Sequence, residues 1–319
     1  MTEKEVRHRV NQHRLKSERE DRTCFKEGCL DKAIYSHILQ KNGVLNRICE
    51  DEHLAEYVNT PFDAQTTFGF RKSGRNEAFK FKGFCTSHDN EIFADIEKHD
   101  FDFSNYHHLM LFSYRALASE IRKNEIALLC SKRIFEDTEL PQEVCSFFKD
   151  IQRGYELAIE DSIQNIKLFN DYFKDTSIKP LEFIVREISF QPICSSGCFT
   201  FETKGEIMFK ELVGKPLKQT SNVYFHFIPK DNKSYMVIGF PANATKCQKY
   251  FNQFKEWDES HLRVLVTNIL LFQIENWVTS LTYKKNVLDK YWPYFIELIE
   301  DGFRTLDERQ IREIDMFEK

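Results

Sequence analysis

The sequence predicts an α+β protein, with an N-terminal zinc module, central helices and a C-terminal antiparallel sheet with closing helices. Three observations predict this class. Two Cys/His pairs lie between residues 24 and 88, a helical period begins near residue 105, and β-branched and aromatic residues alternate beyond residue 178. We therefore divide the chain into a zinc-binding module with an N-terminal arm (1–104), a helical segment (105–177) and an α+β domain (178–319).

The composition is that of a globular protein without a membrane segment. Of the 319 residues 41% are hydrophobic, and the formal net charge is −5. The first 22 residues are charged throughout and lack the apolar core of a signal peptide. Residues 264–278 are the most apolar stretch. Because they include Asn268 and Glu275 and are too few to span a bilayer, we expect a buried helix. A cytoplasmic location follows, where thiols stay reduced.

Periodicity predicts three helices before residue 178. Residues 2–20 form a charged helix or arm with little apolar stripe. From residue 105 the apolar side chains fall on one face of a second helix, at Leu109, Phe112, Leu117 and Ile121. Pro141 begins a third helix that continues to about Phe173.

Strand patterns follow residue 178. The segment Cys194-Ser-Ser-Gly-Cys198 is typical of a turn between two of these strands. Residues 222–240 predict a hairpin that turns at Asp231-Asn232, because alternating strands flank a polar turn there. After Pro241 the chain becomes helical again.

Two pairs of Cys and His residues together suit one zinc ion. The chain has nine cysteines, and an odd number disfavours a framework in which all cysteines form disulfides. Cys24 and Cys29 enclose Gly28, which predicts a tight knuckle that turns both thiolates toward one ion. Cys85 and His88 open a predicted helix, where the dipole favours thiolate. Zn²⁺ takes four such ligands tetrahedrally, so the pairs predict a structural, treble-clef-like zinc module. The alternative is a set of unconnected buried cysteines.

His37 is a fifth candidate in the same region. The alternating residues around it predict a strand that follows the knuckle. Since two cysteines and a Cys/His pair already fill a tetrahedron, His37 either displaces one ligand or is a free imidazole beside the site. A ligand would close a structural site, whereas a free imidazole can act as a general base.

The stretch YSHILQKNGVLNRICEDEH resembles the HNH, or His-Me finger, nucleases. The resemblance covers about residues 24–90. It implies that His37 is the general base, that Asn46 orients it, and that His53 helps to hold Mg²⁺ or another divalent cation. The reaction implied is phosphodiester hydrolysis.

A second similarity extends to about residue 125. The phrases C-x4-C…AI-x-SH and GFC-x-x-HD-x-x-IF, followed by YRAL, are similar to those of uncharacterised bacterial proteins with the same layout. This similarity implies no established activity, but it groups the four zinc-ligand candidates with His37 as one unit. A role in bacterial defence is the biological setting we expect.

Basic and aromatic residues alternate between residues 66 and 88. The basic residues are Arg71, Lys72, Arg75, Lys80 and Lys82. Basic groups interleaved with phenylalanines suit a strand that meets the phosphates of a nucleic acid. The alternative is a strand with an apolar inner face and a solvated outer face.

We expect a zinc-containing nucleic-acid-binding protein, with metal-dependent endonuclease activity if His37 is a free base. The alternative is a non-enzymatic interaction or sensor protein in which zinc is purely structural. In that case a protein partner, or a second copy of the chain, would bind through the C-terminal domain. The position of His37 discriminates between the two.

Overall fold

The computed structural model describes residues 1–59, 68–97, 100–213, 220–302, 307 and 309–318; the side chains of residues 210 and 211 are outside this description. Residues 66 and 67 of the predicted basic strand also lie outside it. The first half contains the helices α1 (Glu3–Arg19), α2 (Thr86–Ile92), α3 (Ala94–Glu97), α4 (Tyr106–Phe135) and α5 (Gln142–Lys174). Its strands are β1 (Tyr35–His37), β2 (His53–Asn59), β3 (Phe68–Gly74) and β4 (Lys80–Lys82), and a 3₁₀ turn spans Leu45–Arg47.

The second half supplies most of the sheet. Its strands are β5 (Leu181–Ser189), β6 (Ile193–Thr200), β7 (Asn222–Lys230), β8 (Lys233–Pro241) and β9 (Trp277–Thr279). Its helices are α6 (Lys204–Leu212), α7 (Thr245–Asn252), α8 (Glu259–Phe272), α9 (Leu281–Tyr283) and α10 (Asp289–Gly302). A 3₁₀ turn at Gln253–Glu256 follows α7, and a π-helical turn at Lys284–Leu288 joins α9 to α10.

Within the described part of the chain, a seven-stranded sheet has the order β3-β2-β9-β6-β7-β8-β5, and every neighbouring pair is antiparallel. The mixed α+β class with an antiparallel sheet is therefore confirmed. The sheet also crosses the boundary drawn near residue 104. Glu56 of β2 pairs with Val278 of β9, so the first and last segments share one sheet. The three ranges describe stretches of sequence, and their division into folding units stays a prediction.

Helices cover both faces of the sheet. On one face α4 and α5 pack against side chains such as Tyr224 and Ile228 of β7. On the other, α7, α8 and α10 pack against Phe225 and Phe227 of the same strand. Because successive side chains of a strand point to opposite faces, β7 is apolar on both sides and buried throughout. The result is a helix–sheet–helix arrangement with α4 against the centre of the sheet.

The predicted hairpin is confirmed. Lys230 pairs with Lys233 at the end of the β7–β8 ladder, and Asp231 and Asn232 form the turn between them. Both turn residues have positive φ, at 48° and 61°. Two consecutive residues in this region define the tight turn whose twist matches that of the flanking strands, and Asp and Asn tolerate it better than most residues.

Two local predictions were wrong. The helix expected over 264–278 ends at Phe272, and the chain then re-enters the sheet as β9, in which Trp277 and Val278 are buried. The turn expected at Cys194–Cys198 is the middle of strand β6, buried against α4 and β7. Small side chains suit that strand because α4 approaches it closely. Among the described residues, no helix is both long and apolar enough to cross a membrane.

His226 lies at the centre of the sheet with no solvent exposure. Its Nε2 is 3.2 Å from Ser113 Oγ of α4, and its Nδ1 is 2.9 Å from Ser196 Oγ of β6. A neutral imidazole offers one donor and one acceptor, and two hydroxyls satisfy both. Burial lowers the pKa of His226 to about 3. The protein therefore holds this ring neutral at pH values where an unfolded histidine is protonated.

We expect His226 to make the protein less stable in mild acid. Below pH 6.5 the unfolded histidine binds a proton, whereas the folded ring stays neutral. The contribution of His226 to the free energy of unfolding is therefore complete above pH 6.5 and is lost as the pH falls toward 3. The variant His226→Gln has no imidazole at this position, so its stability lacks this dependence on pH. Between pH 7 and pH 5 the stability advantage of the native protein over this variant should shrink by about 2 kcal/mol in urea unfolding. An advantage that stays constant over this range would contradict the assignment.

Candidate metal centre

The two Cys/His pairs predicted from the sequence meet in the structure. One ligand atom from each of Cys24, Cys29, Cys85 and His88 lies within 4.8 Å of the others. Cys29 Sγ is 3.9 Å from Cys85 Sγ, and Cys85 Sγ is 3.2 Å from His88 Nδ1. In a tetrahedron with metal–sulfur bonds of about 2.3 Å, neighbouring sulfurs are about 3.8 Å apart. The cluster, hereafter the Cys3His cluster, could hold one metal ion.

Backbone hydrogen bonds shape the first pair. Residues 23–32 form a small closed turn, in which Cys24 N donates to Asp31 O over 3.0 Å and Cys29 N donates to Lys26 O over 3.0 Å. Gly28 adopts φ +77°, where a side chain is disfavoured. Lys26 N donates to Cys24 Sγ over 3.4 Å, so a backbone donor faces the sulfur. The turn is the knuckle that the sequence predicts.

The second pair stands at the start of α2. Cys85 is the residue before the helix and has an extended backbone, while His88 lies in the first turn. Two backbone bonds join this segment to the knuckle: Phe25 N donates to Gly83 O over 3.0 Å, and Ile34 N donates to Phe84 O over 2.8 Å. The two ligand pairs are therefore held together by the main chain as well as by any ion.

Arg122 of α4 joins the two chain segments that carry the cluster ligands, an interaction hereafter called the Arg122 clamp. Its side chain is 4% exposed, and it donates to the carbonyls of Lys82 and Thr23, at 2.6 and 2.9 Å. It also stacks over Phe25, 4.3 Å from the ring centroid. A buried guanidinium that bridges two carbonyls fixes the separation of the segments that carry them. Nothing in the local sequence marks Arg122 for this role, since its partners are backbone atoms distant in the chain.

The electrostatics of the cluster favour a bound cation. A backbone hydrogen bond at Asp31 lowers the pKa of Cys29, but burial and the adjacent thiols of Cys24 and Cys85 outweigh it and raise the pKa to about 11. Without a cation, three thiolates this close would repel one another. A divalent ion removes that repulsion and replaces the protons, which is how thiol sites couple metal binding to deprotonation.

His37 lies outside the Cys3His cluster. It ends β1, opposite Lys80 of β4, and its Nε2 is 3.3 Å from the carbonyl oxygen of Arg75. The ring lines a cleft of about 320 Å³, hereafter the His37 cleft, whose other walls include Ser36, Lys41, Asp89, Asn90, Glu97 and Arg115. Burial is the main cause that lowers the pKa of His37, and Lys41, Lys80 and Arg115 lower it further. The imidazole is therefore neutral at pH 7.

Three buried polar atoms without a hydrogen-bond partner belong to described residues that line this cleft. In the part of the chain that the structure describes, Ser36 Oγ, Asp89 Oδ1 and Arg115 Nε have no hydrogen-bond partner. Arg115 is 1% exposed, pairs with Glu97 and stacks over Phe93 at 3.9 Å, and its Nη2 is 3.5 Å from Asp89 Oδ1. Asp89 and Arg115 thus form an ion pair without a full set of hydrogen bonds, and a polar species in the cleft could supply the partners that these buried atoms lack.

The other residues assigned from the nuclease resemblance surround Arg75. Asn46 Oδ1 accepts from Arg75 Nη1 over 2.6 Å, so Asn46 reaches His37 indirectly, through the residue whose carbonyl the imidazole contacts. His53 begins β2, and its Nδ1 is 2.6 Å from Asp51 O. The described walls of the His37 cleft do not include His53. Asp89 and Asn90 from α2 are there instead.

Four of the five predicted phosphate-binding residues have partners within the protein. Arg71 pairs with Glu56, Arg75 with Glu52 and Lys80 with Glu77 at 2.7–2.8 Å, while Lys82 donates to the carbonyls of Arg19 and Glu20 at the end of α1. Lys72 is exposed on β3. The basic stretch is therefore largely neutralised, and a nucleic acid would have to compete with these carboxylates.

Comparison with models of protein families, with curated proteins and with solved structures finds no match for this chain.

We expect Cys24→Ser to remove the metal ion. One cluster ligand is lost and the ion should fall from about one per chain to near zero, measured by plasma mass spectrometry on protein purified without added metal. Residues 23–97 should lose protection in hydrogen exchange, because metal binding at such sites contributes folding free energy, about 10 kcal/mol in small zinc peptides. Cys49→Ser changes a thiol of the same region outside the cluster and should keep both metal and stability. Metal-free native protein of unchanged stability would exclude a structural ion.

Proposed function

We propose that this chain is a zinc-containing nucleic-acid-binding protein and that the His37 cleft is the site of an HNH-like, metal-dependent endonuclease. One observation carries the proposal: the histidine predicted as a base is separate from the Cys3His cluster and lines a cleft with buried, unpartnered polar atoms. Had His37 been a cluster ligand, the site would have been closed and structural.

Zinc is the ion that the cluster fits best. Three thiolates and an imidazole are soft and borderline ligands that favour Zn²⁺ over Mg²⁺ or Ca²⁺, and the ligand separations suit a tetrahedron. Four protein ligands leave no open position. Zinc would therefore stabilise the N-terminal region and take no part in chemistry.

The arrangement around the ion supports a treble-clef-like module. A knuckle at residues 23–32 leads into β1, β1 pairs with β4, and β4 leads directly into α2, whose start carries the second ligand pair. A long excursion containing β2 and β3 separates the two paired strands. The strand–strand–helix unit brings His37 of β1 and Asp89 of α2 to one cleft, whereas the HNH resemblance implies His53 as the residue that holds the cation.

His37 is arranged to accept a proton through Nδ1. The carbonyl of Arg75 can only accept, so Nε2 carries the hydrogen and Nδ1 keeps its lone pair. Asn46 holds the Arg75 side chain and so steadies that carbonyl. In hydrolysis, Nδ1 would take a proton from water while the water oxygen bonds to phosphorus and the bond to the leaving oxygen breaks. A neutral ring at pH 7 suits that task.

Asp89 is the residue that would hold a divalent cation in this cleft, in place of His53. Its Oδ1 is buried and accepts no hydrogen bond, and its charged partner is Arg115 Nη2 at 3.5 Å, so the oxygen keeps capacity for a hard cation. When bound, Mg²⁺ supplies charge to stabilise the phosphate oxygens in the transition state. Arg115 and Lys41 add positive charge at the same cleft, and Glu97 and Asp89 hold the Arg115 guanidinium in place.

We expect His37→Ala to abolish magnesium-dependent cleavage of DNA or RNA while zinc content and thermal unfolding stay native. The physical reason is loss of the base without loss of a cluster ligand, with rates falling about 10²–10⁴-fold. Asp89→Asn should also lose cleavage, and His8→Ala, on the exposed face of α1, should not. Release of zinc by His37→Ala, or full cleavage by that variant, would overturn the proposal and favour a purely structural zinc.

We expect Lys72→Ala to weaken nucleic-acid binding more than Arg71→Ala. Arg71 must first leave Glu56, which offsets what it gains from a phosphate, whereas Lys72 is exposed. Binding should weaken with salt, and the slope of log K against log salt should fall by about one for Lys72→Ala. Fluorescence anisotropy with labelled single strands measures both. Equal affinities for Lys72→Ala and native protein at every salt concentration would place the nucleic acid elsewhere.

A further inference from the structure

We propose that the interior cavity between α4, α5 and the sheet binds a small organic ammonium compound, a cation with an apolar body. This inference is independent of the nuclease proposal, because the cavity shares none of its described walls with the His37 cleft.

The interior cavity, named for its position between α4, α5 and the sheet, opens to solvent at Arg153 and Glu160 and has a volume of about 800 Å³. Its described walls come from α4, α5, β6, the end of α8 and the loop that leads to β9. A space of this size is within the range of pockets that enclose drug-sized ligands. It also meets a second cleft of about 500 Å³, beside β1 and β4, at Tyr57, Lys123, Glu275 and Asn276, which belong to both.

Charged side chains of both signs line the described part of this space: the carboxylates Glu120, Glu160, Asp161 and Glu275, and the cations Lys123 and Arg153. Lys123 of α4 forms an ion pair with Glu275 and lies 3.8 Å from Glu120, one turn earlier on the same helix. Of the three side chains in this trio, Glu120 is 22% exposed, and Lys123 and Glu275 are 42% and 41% exposed. Two negative groups share one positive group, so the trio carries a net charge of −1. The described walls as a whole carry four carboxylates and two cations, and an excess of negative charge at a cleft favours a ligand of opposite sign.

Of the two carboxylates in the trio, Glu120 has more capacity to accept further hydrogen bonds. Glu275 has two strong partners, Lys123 and the Asn59 amide at 2.8 Å. Glu120 has the more distant ammonium and a long 3.3 Å contact from Asn124 Nδ2, which also donates to the Glu120 main chain. A carboxylate accepts about four hydrogen bonds, so Glu120 can take more donors. Burial raises its pKa, which a bound cation would reverse.

The apolar walls select an apolar body for the ligand. Leu157, Phe199, Leu271 and Ile274 line the cavity, and Tyr57 contributes a ring packed against Trp277 at 5.2 Å. Polar and charged residues make up the rest of the described walls, and in small-molecule sites such polar groups fix the orientation of the ligand. An ammonium at Glu120 with an aromatic or aliphatic body against these side chains satisfies both features.

The test uses tryptamine as the probe, with two controls of the same shape: neutral tryptophol and anionic indole-3-propionate. Calorimetry on the full chain at pH 7 should give tryptamine at least tenfold tighter binding than either control. Spermidine, set against neutral polyols, is a second probe with a flexible body. Glu120→Gln should remove the preference for the ammonium, whereas Glu156→Gln makes the same change on α5 outside the cavity walls and should keep it.

A second variant blocks the space without attacking the fold. Gly154 lies on α5 at the cavity wall, and a Cβ there would meet nothing within 4 Å. Gly154→Leu should abolish tryptamine binding and raise the unfolding temperature, since leucine is a better helix former than glycine. Equal binding of tryptamine and tryptophol, preference for the anion, binding that survives both variants, or no binding of either ammonium probe would each overturn the proposal.

Discussion

The joining of two distant ligand pairs is the constraint on which the N-terminal half depends. Cys24 and Cys29 precede β1, while Cys85 and His88 follow β4, so the whole excursion with β2 and β3 lies between them. Closing a loop of that length costs conformational entropy, and a pair of three-residue strands cannot offset this cost alone. The backbone bonds at Phe25 and Ile34 and the Arg122 clamp offset part of that cost, and an ion bound by the Cys3His cluster would offset more.

Helix α4 couples this region to the rest of the molecule. Arg115 and Arg122, two turns apart on one side, reach the His37 cleft and the Cys3His cluster, while Glu120 and Lys123 face the interior cavity. The same helix packs on the sheet through Ser113 and its apolar neighbours. One rigid element thus positions charged groups at three places. A substitution in α4 that tilts the helix would disturb all three, whereas changes in single side chains separate them.

Local chemistry made part of this structure predictable. The knuckle at Gly28, the helix start at Cys85 and the turn at Asp231-Asn232 follow from a few adjacent residues. The pairing of β2 with β9 could not be predicted, because Glu56 and Val278 carry no mutual signal in one sequence. The same holds for the carboxylates that pair with Arg71 and Arg75. A strand pattern shows which residues alternate, but the strand's neighbours decide whether its charges are free. Trp277, expected in a helix, is in a strand because β9 pairs with β2 and β6, which are distant in the sequence.

The position of His37 follows from the geometry of one short ladder. Tyr35 pairs with Lys82 at the end nearest the Cys3His cluster, and His37 pairs with Lys80 at the other end. Strand residues advance about 3.3 Å each, so two positions carry the imidazole about 7 Å along the ladder, with the side chain on the same face as Tyr35. The ladder is anchored by the cluster at one end and by the Arg75 carbonyl at the other. A histidine held at both ends keeps its orientation without being a ligand, and a rigid, neutral imidazole facing an unsatisfied cleft is the arrangement that general-base chemistry requires.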